Sequence, residues 1–415
     1  MYPISSEYNK KKIINDPVYG FISLPNDILF DIIEHPYYQR LRRIKQLGMS
    51  HLVYPGALHT RFHHALGATH LMSKAIHVLR RKGNEISENE ETAVLIAILL
   101  HDIGHGPFSH TLEHEIVKGV SHEEISLCFM KRLSLEFDGK LDLAIQIFTN
   151  NYPKTFLHQL VSGQLDMDRM DYLNRDSFYT GVSEGVIGSD RIIEMLNVNN
   201  NELVVEQKGI YSVEKFLVAR RLMYWQVYMH KTVVASEVML SSVLRRAKYL
   251  TKEGTKLFAS PAFQFFLEND YTLHDFKNNS ELLDKFAQLD DVDILGAIKV
   301  WQFEKDKVLS EISKRIINRR LFKIEIGNTL FIEEKIQKIK HNVKNNLNLK
   351  NNELDYFIST NSLKNNAYNE LHEGINLLMK NGDIVEVSKA SDNLNISALS
   401  KPVEKFYLCY PRIGF

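Results

Sequence analysis

The sequence predicts a mainly α protein with a small α+β domain at its C-terminal end. Three observations lead there. Apolar residues recur at helical spacing through most of residues 31–320. Glycine and proline clusters interrupt that spacing where helices must stop. From about Arg320 the periodicity changes to the alternation of strands.

The elements follow in order. Residues 1–30 hold turn-formers and short apolar pieces, and Asp16-Pro17 with Tyr19-Gly20 predicts a small hairpin in a loop-rich segment. From Ala65, apolar residues at Leu66, Ala68, Leu71, Met72, Ala75, Ile76 and Leu79 mark one face of a helix. Residues 90–103 read as a buried helix, broken by Gly104, Gly106 and Pro107. Ser121 and Glu124 have the spacing of a capping box, which opens another helix. Residues 141–250 are largely helical, with a glycine-marked loop from Tyr179 to Ser189 and a short strand at Leu203–Val205. Amphipathic helices continue over 251–320. In the C-terminal part, Phe322–Ile326 alternates as a strand, and a Lys- and Asn-rich helix or linker covers 335–352. Asp355–Ile358, Ile384–Val387 and Phe406–Leu408 read as further strands. The expected division is an N-terminal segment 1–30, a helical core 31–320 and an α+β domain 321–415, with no internal repeat.

Composition narrows the function classes. With 415 residues and 44% hydrophobic content, the chain can bury a large core. The 51 basic residues balance 51 acidic ones, so nucleic acid is not expected as the main partner. Two cysteines, Cys128 and Cys409, suit a reducing compartment rather than a disulfide framework. The N-terminus lacks a signal pattern, and the apolar run Ala93–Leu100 is far short of the ~20 residues that cross a bilayer. No membrane association and a cytoplasmic location are expected.

The chemistry centres on His101-Asp102 in the stretch Leu99 to His110. Adjacent imidazole and carboxylate groups at a helix end can hold one ion, given partners from elsewhere. His64 and Asp168 are the best candidates. Two imidazoles and two carboxylates form a mixed N/O set that suits Mn, Fe, Zn or Ni. Open positions would take a water and a phosphate oxygen, and Mg could accompany the phosphates. His63, His70 and His77 read as ordinary helix residues. Arg61, three residues before His64, is placed to grip a phosphate. Arg220, Tyr224, Tyr228 and Lys231 fall on one helical stripe, which is a poor core face but a good wall for a charged nucleotide.

Together, Arg61-Phe62-x-His64-x-Leu66-Gly67, His101-Asp102-x-Gly104-His105-Gly106-Pro107-Phe108-Ser109-His110 and Asp166-x-Asp168-x-x-Asp171-Tyr172 with Arg175-Asp176 resemble the HD-domain deoxynucleoside triphosphate triphosphohydrolases. The resemblance runs from about Lys12 to Phe322. It implies an HD-domain helical phosphohydrolase core whose metal ligands are His64, His101, Asp102 and Asp168. It implies active-site roles for His105, His110, His122 and Glu123: His122 as an acid-base residue oriented by Glu123, and His105 as phosphate contact or proton donor. It implies substrate contacts at Gln46, Leu47, Arg61, Arg169, Tyr172, Asp176, Arg220, Tyr224 and Tyr228. Tyr172 would stack under the sugar, Asp176 would accept from its 3′-hydroxyl, and Gln46 and Leu47 would border sugar and base. It also implies an activating nucleotide, GTP or a dNTP, held between subunits by Lys12, Ile13, Glu34, Gln39 and Arg42 in a homo-oligomer, a tetramer by preference.

Four departures qualify this. Arg169 stands where the mammalian members have lysine, Tyr224 replaces a histidine, and His63 occupies the place of an acid. Glu34 is one methylene longer than the corresponding aspartate, which weakens the case for guanine selectivity. Two alternatives keep the fold but change the function. One is an HD-type phosphodiesterase or nuclease on other nucleotides, and the other is a non-catalytic nucleotide sensor. The Tyr172, Asp176, Arg220 and Tyr228 set favours a mononucleotide. The presence of His105, His122 and Glu123 beside the ligands argues against a sensor.

Overall fold

The structure is a computed structural model that describes residues 12–108, 115–117, 119–365, 368, 374–391 and 402–412. It is mainly α, as expected. The N-terminal hairpin pairs β1 (Ile13–Asp16) with β2 (Gly20–Ser23) around the Asp16-Pro17 turn. Two short helices follow, α1 (Asp27–Glu34) and α2 (Pro36–Gln39). Three helices frame the centre: α3 (Arg61–Arg81), α4 (Glu88–Leu100) and, later in the chain, α8 (Met167–Thr180). Both α4 and α8 pack on α3. Between them come α5 (His122–Glu136), α6 (Asp142–Phe148) and α7 (Thr155–Val161).

Local chemistry sets these boundaries. Ser87 and Glu90 form a capping box at the start of α4, and Ser121 and Glu124 form the expected one at α5. Every residue from Ala93 to Leu100 is buried, so α4 is apolar on all sides and runs through the core. It ends at Leu100 rather than at 103, and this earlier stop leaves His101 and Asp102 in the turn that follows. At α3, Thr60 is the N-cap and His63 completes a capping box, its Nδ1 accepting from the Thr60 N–H at 3.2 Å. Burial holds the His63 imidazole below its usual pKa, so the ring stays a neutral acceptor.

Helix α9 (Ser189–Met195) leads into the hairpin β3 (Leu196–Asn199) and β4 (Glu202–Glu206). Then come α10 (Ile210–Met223) and the long α11 (Lys231–Lys252), against which α16 (Lys307–Ile317) packs after α12 (Pro261–Glu268), α13 (Leu273–Asn278), α14 (Ser280–Phe286) and α15 (Asp291–Trp301).

The C-terminal segment contains β5 (Lys323–Gly327), α17 (Glu333–Leu347), β6 (Ser359–Asn365), β7 (Asn376–Leu378), β8 (Ile384–Glu386), the short α18 (Val387–Ala390) and β9 (Val403–Tyr410). β9 lies between β5 and β6 in an antiparallel sheet. β7 pairs in parallel with β4, Val205 opposite Leu377, so this segment also extends the β3–β4 hairpin into four strands. One contiguous hydrophobic cluster runs from Ile22 to Cys409.

Two sequence expectations are corrected. The segment Asp355–Ile358 is not a strand. A 3₁₀ turn spans Asn351–Tyr356, and the Leu354 carbonyl accepts from both Phe357 and Ile358 at 2.9 Å. Turning there puts Leu354, Phe357 and Ile358 all in the core, whereas a strand would alternate them. The stripe Arg220–Tyr224–Tyr228–Lys231 is not one helical face either. Residues Tyr224–Tyr228 form a π turn, and His230 caps a new helix by accepting from the Thr232 N–H at 3.2 Å. The break sends Lys231 to a separate cavity, lined also by Arg315, Arg319 and Lys323.

The α4 cap has a testable pH signature. Burial opposes the charge on Glu90. Lys154, the Ser87 N–H and Tyr152 outweigh it and hold the carboxyl at about 2. A depressed folded pKa contributes stability that is complete above the unfolded value near ~4.3 and is lost as pH falls toward 2. Glu90→Gln is expected to cost about 1–2 kcal/mol at pH 7, after allowance for solvent screening, and less than about 0.5 kcal/mol at pH 2. Urea unfolding at the two pH values checks this; an equal cost at both would refute it.

Candidate metal centre

Three helices bring four side chains to one point. His64 comes from the first turn of α3, and His101 and Asp102 from the turn after α4. Asp168 sits in the first turn of α8, where Asp166 caps the helix by accepting from the Arg169 N–H at 2.7 Å. His64 Nε2 lies 3.0 Å from Asp168 Oδ1, 3.3 Å from His101 Nε2 and 3.6 Å from Asp102 Oδ2. His101 Nε2 is 3.4 Å from Asp102 Oδ1 and 3.5 Å from Asp168 Oδ1. Donors about 2.0–2.2 Å from one ion stand roughly 3–3.5 Å from each other, so this spacing fits a single divalent metal.

The outer nitrogens are already committed. His64 Nδ1 donates to Asp171 at 2.7 Å and His101 Nδ1 donates to the Ile98 carbonyl at 2.6 Å. That leaves both Nε2 lone pairs facing the cluster. The electrostatics agree. Burial opposes charge on His64, yet Asp168 and Asp171 outweigh it and raise the imidazole to about 10. His101 is raised against its burial by Asp102 and Asp168. Asp102 and Asp168 are held below the carboxylate range despite burial, the first by Arg61 and the second by the two histidines. The cluster demands positive charge, and an ion would supply it.

A second group abuts the first. His105 Nε2 is 3.3 Å from Asp102 Oδ1, and the His105 and His122 rings stack at 3.8 Å. His122 Nε2 lies 3.2 Å from Glu123. Burial and then Arg61 push the His105 imidazole well below its usual pKa, so it is neutral at rest. The close approach needs Gly104: a Cβ there would come within 2.1 Å of the His122 carbonyl and 2.3 Å of the Ser126 nitrogen. Arg40 fixes the same loop from below. Its fully buried guanidinium donates to the Ile103 carbonyl at 2.6 Å and the His105 carbonyl at 2.9 Å, and burial pushes its pKa down to about 9.

A cavity of about 870 Å³ opens above the cluster. Of the expected substrate residues, Gln46, Leu47, Arg61, Arg169, Tyr172, Asp176, Tyr224 and Tyr228 line it, together with Asp102, His105, His122 and Asp168. Tyr228 Oη donates to Asp176 at 2.8 Å, and the Tyr224 and Tyr228 rings meet edge to face at 5.2 Å. Arg220 is buried and donates to Gln164 at 3.0 Å but is not part of the lining. Glu123 is also outside the lining, reaching it through His122. His110 lies outside the described residues. The residues expected to meet an activating nucleotide sit elsewhere on the surface: Lys12 and Ile13 exposed on the hairpin, Glu34 exposed at the end of α1, and Arg42 over the Phe62 ring at 3.6 Å with its Nε bonded to Gln39 at 2.8 Å.

Several neighbours of the site escape sequence reasoning. His59 is buried, bonds Asp176 at 2.8 Å and stacks on Tyr179 at 4.4 Å. Its only signal in the sequence is its position two residues before Arg61. Arg40 gives none. Ser359, Asn361, Ser362, Leu363 and Tyr407 of the C-terminal sheet line the far side of the cavity.

The HD domain family matches residues 61–176, and the HD associated region matches residues 187–259. The crystal structure of a phosphohydrolase from Bacteroides thetaiotaomicron is similar at a TM-score of 0.94 and 58% identity, covering 97% of this chain and 100% of that one. The Uncharacterized protein YwfO of Bacillus subtilis is 34% identical over 77% of this chain and 73% of its own length. The Deoxynucleoside triphosphate triphosphohydrolase SAMHD1 of Homo sapiens is 31% identical over 57% of this chain and only 44% of its own length. The chain belongs to the HD-domain phosphohydrolase family.

Removing Asp102 tests the centre directly. Asp102→Ala is expected to retain less than about a tenth of the wild-type metal content after dialysis, with its helical circular dichroism intact. Elemental analysis of the dialysed protein is the check; wild-type metal content in the variant would exclude Asp102 as a ligand.

Proposed function

We propose that this chain hydrolyses deoxynucleoside triphosphates to deoxynucleoside and triphosphate. The observation that supports this most is a single cavity that reaches Asp102 and Asp168 of the cluster, beside Arg61 and His105, and joins them to a wall of Tyr172, Asp176, Tyr224 and Tyr228. A charged phosphate chain needs the first part and a sugar the second. The activity for which the human relative is named points the same way.

In this reading His64, His101, Asp102 and Asp168 hold one divalent ion, Mn, Fe, Zn or Ni. Such an ion polarises phosphorus and lowers the pKa of water. Arg61 and Arg169 take the negative charge of the phosphates, with Mg as a further counter-charge. A guanidinium at position 169 offers a bidentate grip that lysine does not. Water attacks the α-phosphorus, the bond from phosphorus to the 5′-oxygen breaks, and that oxygen takes a proton. His105, neutral and buried beside Asp102, and His122, held by Glu123, are the groups placed to move protons there. His110 belongs to the same set by resemblance. Tyr172 packs under the sugar, and Asp176, oriented by Tyr228 and His59, accepts from the 3′-hydroxyl. Gln46 and Leu47 border sugar and base, and Arg220 supports the wall through Gln164.

Regulation belongs to the same proposal. Lys12, Ile13, Glu34, Gln39 and Arg42 would bind an activating GTP or dNTP between subunits of a homotetramer. A cytoplasmic location, where dNTPs are found, fits this reading. Among the described residues no helix is long and apolar enough to cross a membrane.

Incubating the protein with dGTP and Mn²⁺ and separating the products by chromatography tests the reaction. Deoxyguanosine and intact triphosphate are expected; dGDP with orthophosphate would reject the proposal. Gating has its own assay. The rate of dATP hydrolysis per chain should rise when GTP is added and when protein concentration increases. A rate indifferent to both would remove the activating nucleotide and the tetramer from the proposal while leaving the chemistry intact.

A further inference from the structure

The histidine ligand on α3 is tied to the N-terminal hairpin by an unbroken buried chain of charge. Asp171 Oδ2 accepts from His64 Nδ1 at 2.7 Å and from Arg175 Nε at 2.9 Å, and its Oδ1 accepts from Arg175 Nη2 at 3.0 Å. Arg175 continues to Asp16, with Nη1 to Oδ2 at 2.7 Å and Nη2 to Oδ1 at 3.3 Å. Asp16 also closes the hairpin turn, since its Oδ1 accepts from the backbone N–H of Val18 and of Tyr19 at 2.9 Å each. The Tyr19 ring lies 5.5 Å from the Arg175 guanidinium and 5.3 Å from the His70 ring, so the turn packs on both α8 and α3. The side chains of Asp171 and Arg175 are fully buried, and that of Asp16 is 3% exposed.

Helix α3 is shaped around this chain. A Cβ on Gly67 would stand 2.0 Å from Asp171 Oδ1 and 2.2 Å from Arg175 Nη2. The glycine therefore leaves room for the ion pair one helical turn beyond His64. Arg175 has a fork of donors shared between two carboxylates, and each carboxylate constrains its plane. Without Asp16, one end of the fork would be buried with no anion beside it. The guanidinium would turn, and Asp171 would turn with it, because a broken buried pair does not keep its geometry. Asp171 sets which nitrogen of His64 carries the proton and where Nε2 points.

We infer that Asp16 is a positioning residue for the metal centre: docking of the hairpin through Arg175 and Asp171 sets the affinity of His64 and its partner ligands for their ion. The inference rests on the metal reading of the cluster and extends it to a segment about fifty residues away in sequence. Asp16 touches neither ion nor substrate. Its effect is carried by hydrogen-bond geometry.

The experiment measures metal binding, not turnover. Full-length protein is stripped with a chelator and titrated with Mn²⁺, comparing wild type with Asp16→Asn, Gly67→Ala and Asp306→Asn. The last variant is the control. Asp306 forms a similar pair with Arg246, at 2.5 and 3.0 Å, remote from the cluster in the chain and sharing no partner with it. All three variants are expected to lose thermal stability. Asp16→Asn and Gly67→Ala should weaken Mn²⁺ binding on the order of tenfold, and Asp306→Asn should leave it at the wild-type value. Asp16→Asn keeps the turn's acceptor oxygen and removes only the charge; should it not fold, Gly67→Ala carries the test, since it displaces the same pair from the other side. Unchanged Mn²⁺ affinity in the folded variants overturns the inference. Wild-type protein that binds none of Mn²⁺, Fe²⁺, Zn²⁺ and Ni²⁺ overturns the metal reading itself, and the inference with it.

Discussion

Two carboxylates and two imidazoles converge on one point, His64 Nε2 lying within 3.6 Å of His101, Asp102 and Asp168, and this is the constraint on which the rest of the structure is built. Bringing like-charged groups together is unfavourable, and Asp102, with a side chain only 8% exposed, has little water to turn to, while Asp168 keeps 30% of its side chain open to the cavity. Nearby cations hold both carboxylates ionised. Arg61 does so for Asp102 and the histidines do so for Asp168. A divalent ion satisfies the same demand with one group. The elements that carry the ligands are accordingly among the most rigid available: α3 and α8 capped at the ligand end, and α4 enclosed by core on every side.

Two buried arginines extend that rigidity in different directions. Arg40 binds carbonyls. It gathers the backbone of the loop after Asp102, where Gly104 lets α5 approach, and so it fixes His105 against His122. Arg175 binds carboxylates and fixes His64. An arginine suits both roles because its donors form a planar fork that stays charged after burial. The stacked His105–His122 pair and the His/Asp cluster are thus held by separate supports that meet at Asp102, whose Oδ1 faces both His101 and His105.

How much of this is legible in the sequence depends on the range of the interaction. The capping box at Ser121 and the apolar run of α4 are local patterns, and they map onto a helix start and a buried helix, although that helix stops at Leu100 rather than at 103. The ligand set is legible because the HD dipeptide is unusual and its partners lie in motifs of their own. The tyrosine wall is only half legible. Residue types identify Tyr224 and Tyr228, but helical periodicity cannot anticipate a π turn, and Lys231 leaves the face that a regular helix would give it. At Asp355–Ile358, clustered apolar residues satisfy a strand pattern, while the Lys350–Glu353 turn favours the 3₁₀ path that buries Leu354, Phe357 and Ile358 together. His59, Arg40 and Asp16 are illegible as partners of the site because each acts through contacts that span tens or hundreds of positions in sequence.

The C-terminal sheet shows the same limit most clearly. Nothing in residues 321–415 resembles a catalytic motif, yet β6 and β9 contribute Ser359, Asn361, Ser362, Leu363 and Tyr407 to the cavity over the cluster. β9 is the central strand of its sheet, paired with β5 and β6, and Leu408 and Cys409 on it are fully buried. The same segment joins the β3–β4 hairpin through β7. A wall anchored at two places in the helical body keeps a fixed distance from the metal ligands. The depth of the cavity, and so the size of molecule that can lie between the cluster and β6, is set by this sheet as much as by the helices that carry the chemistry.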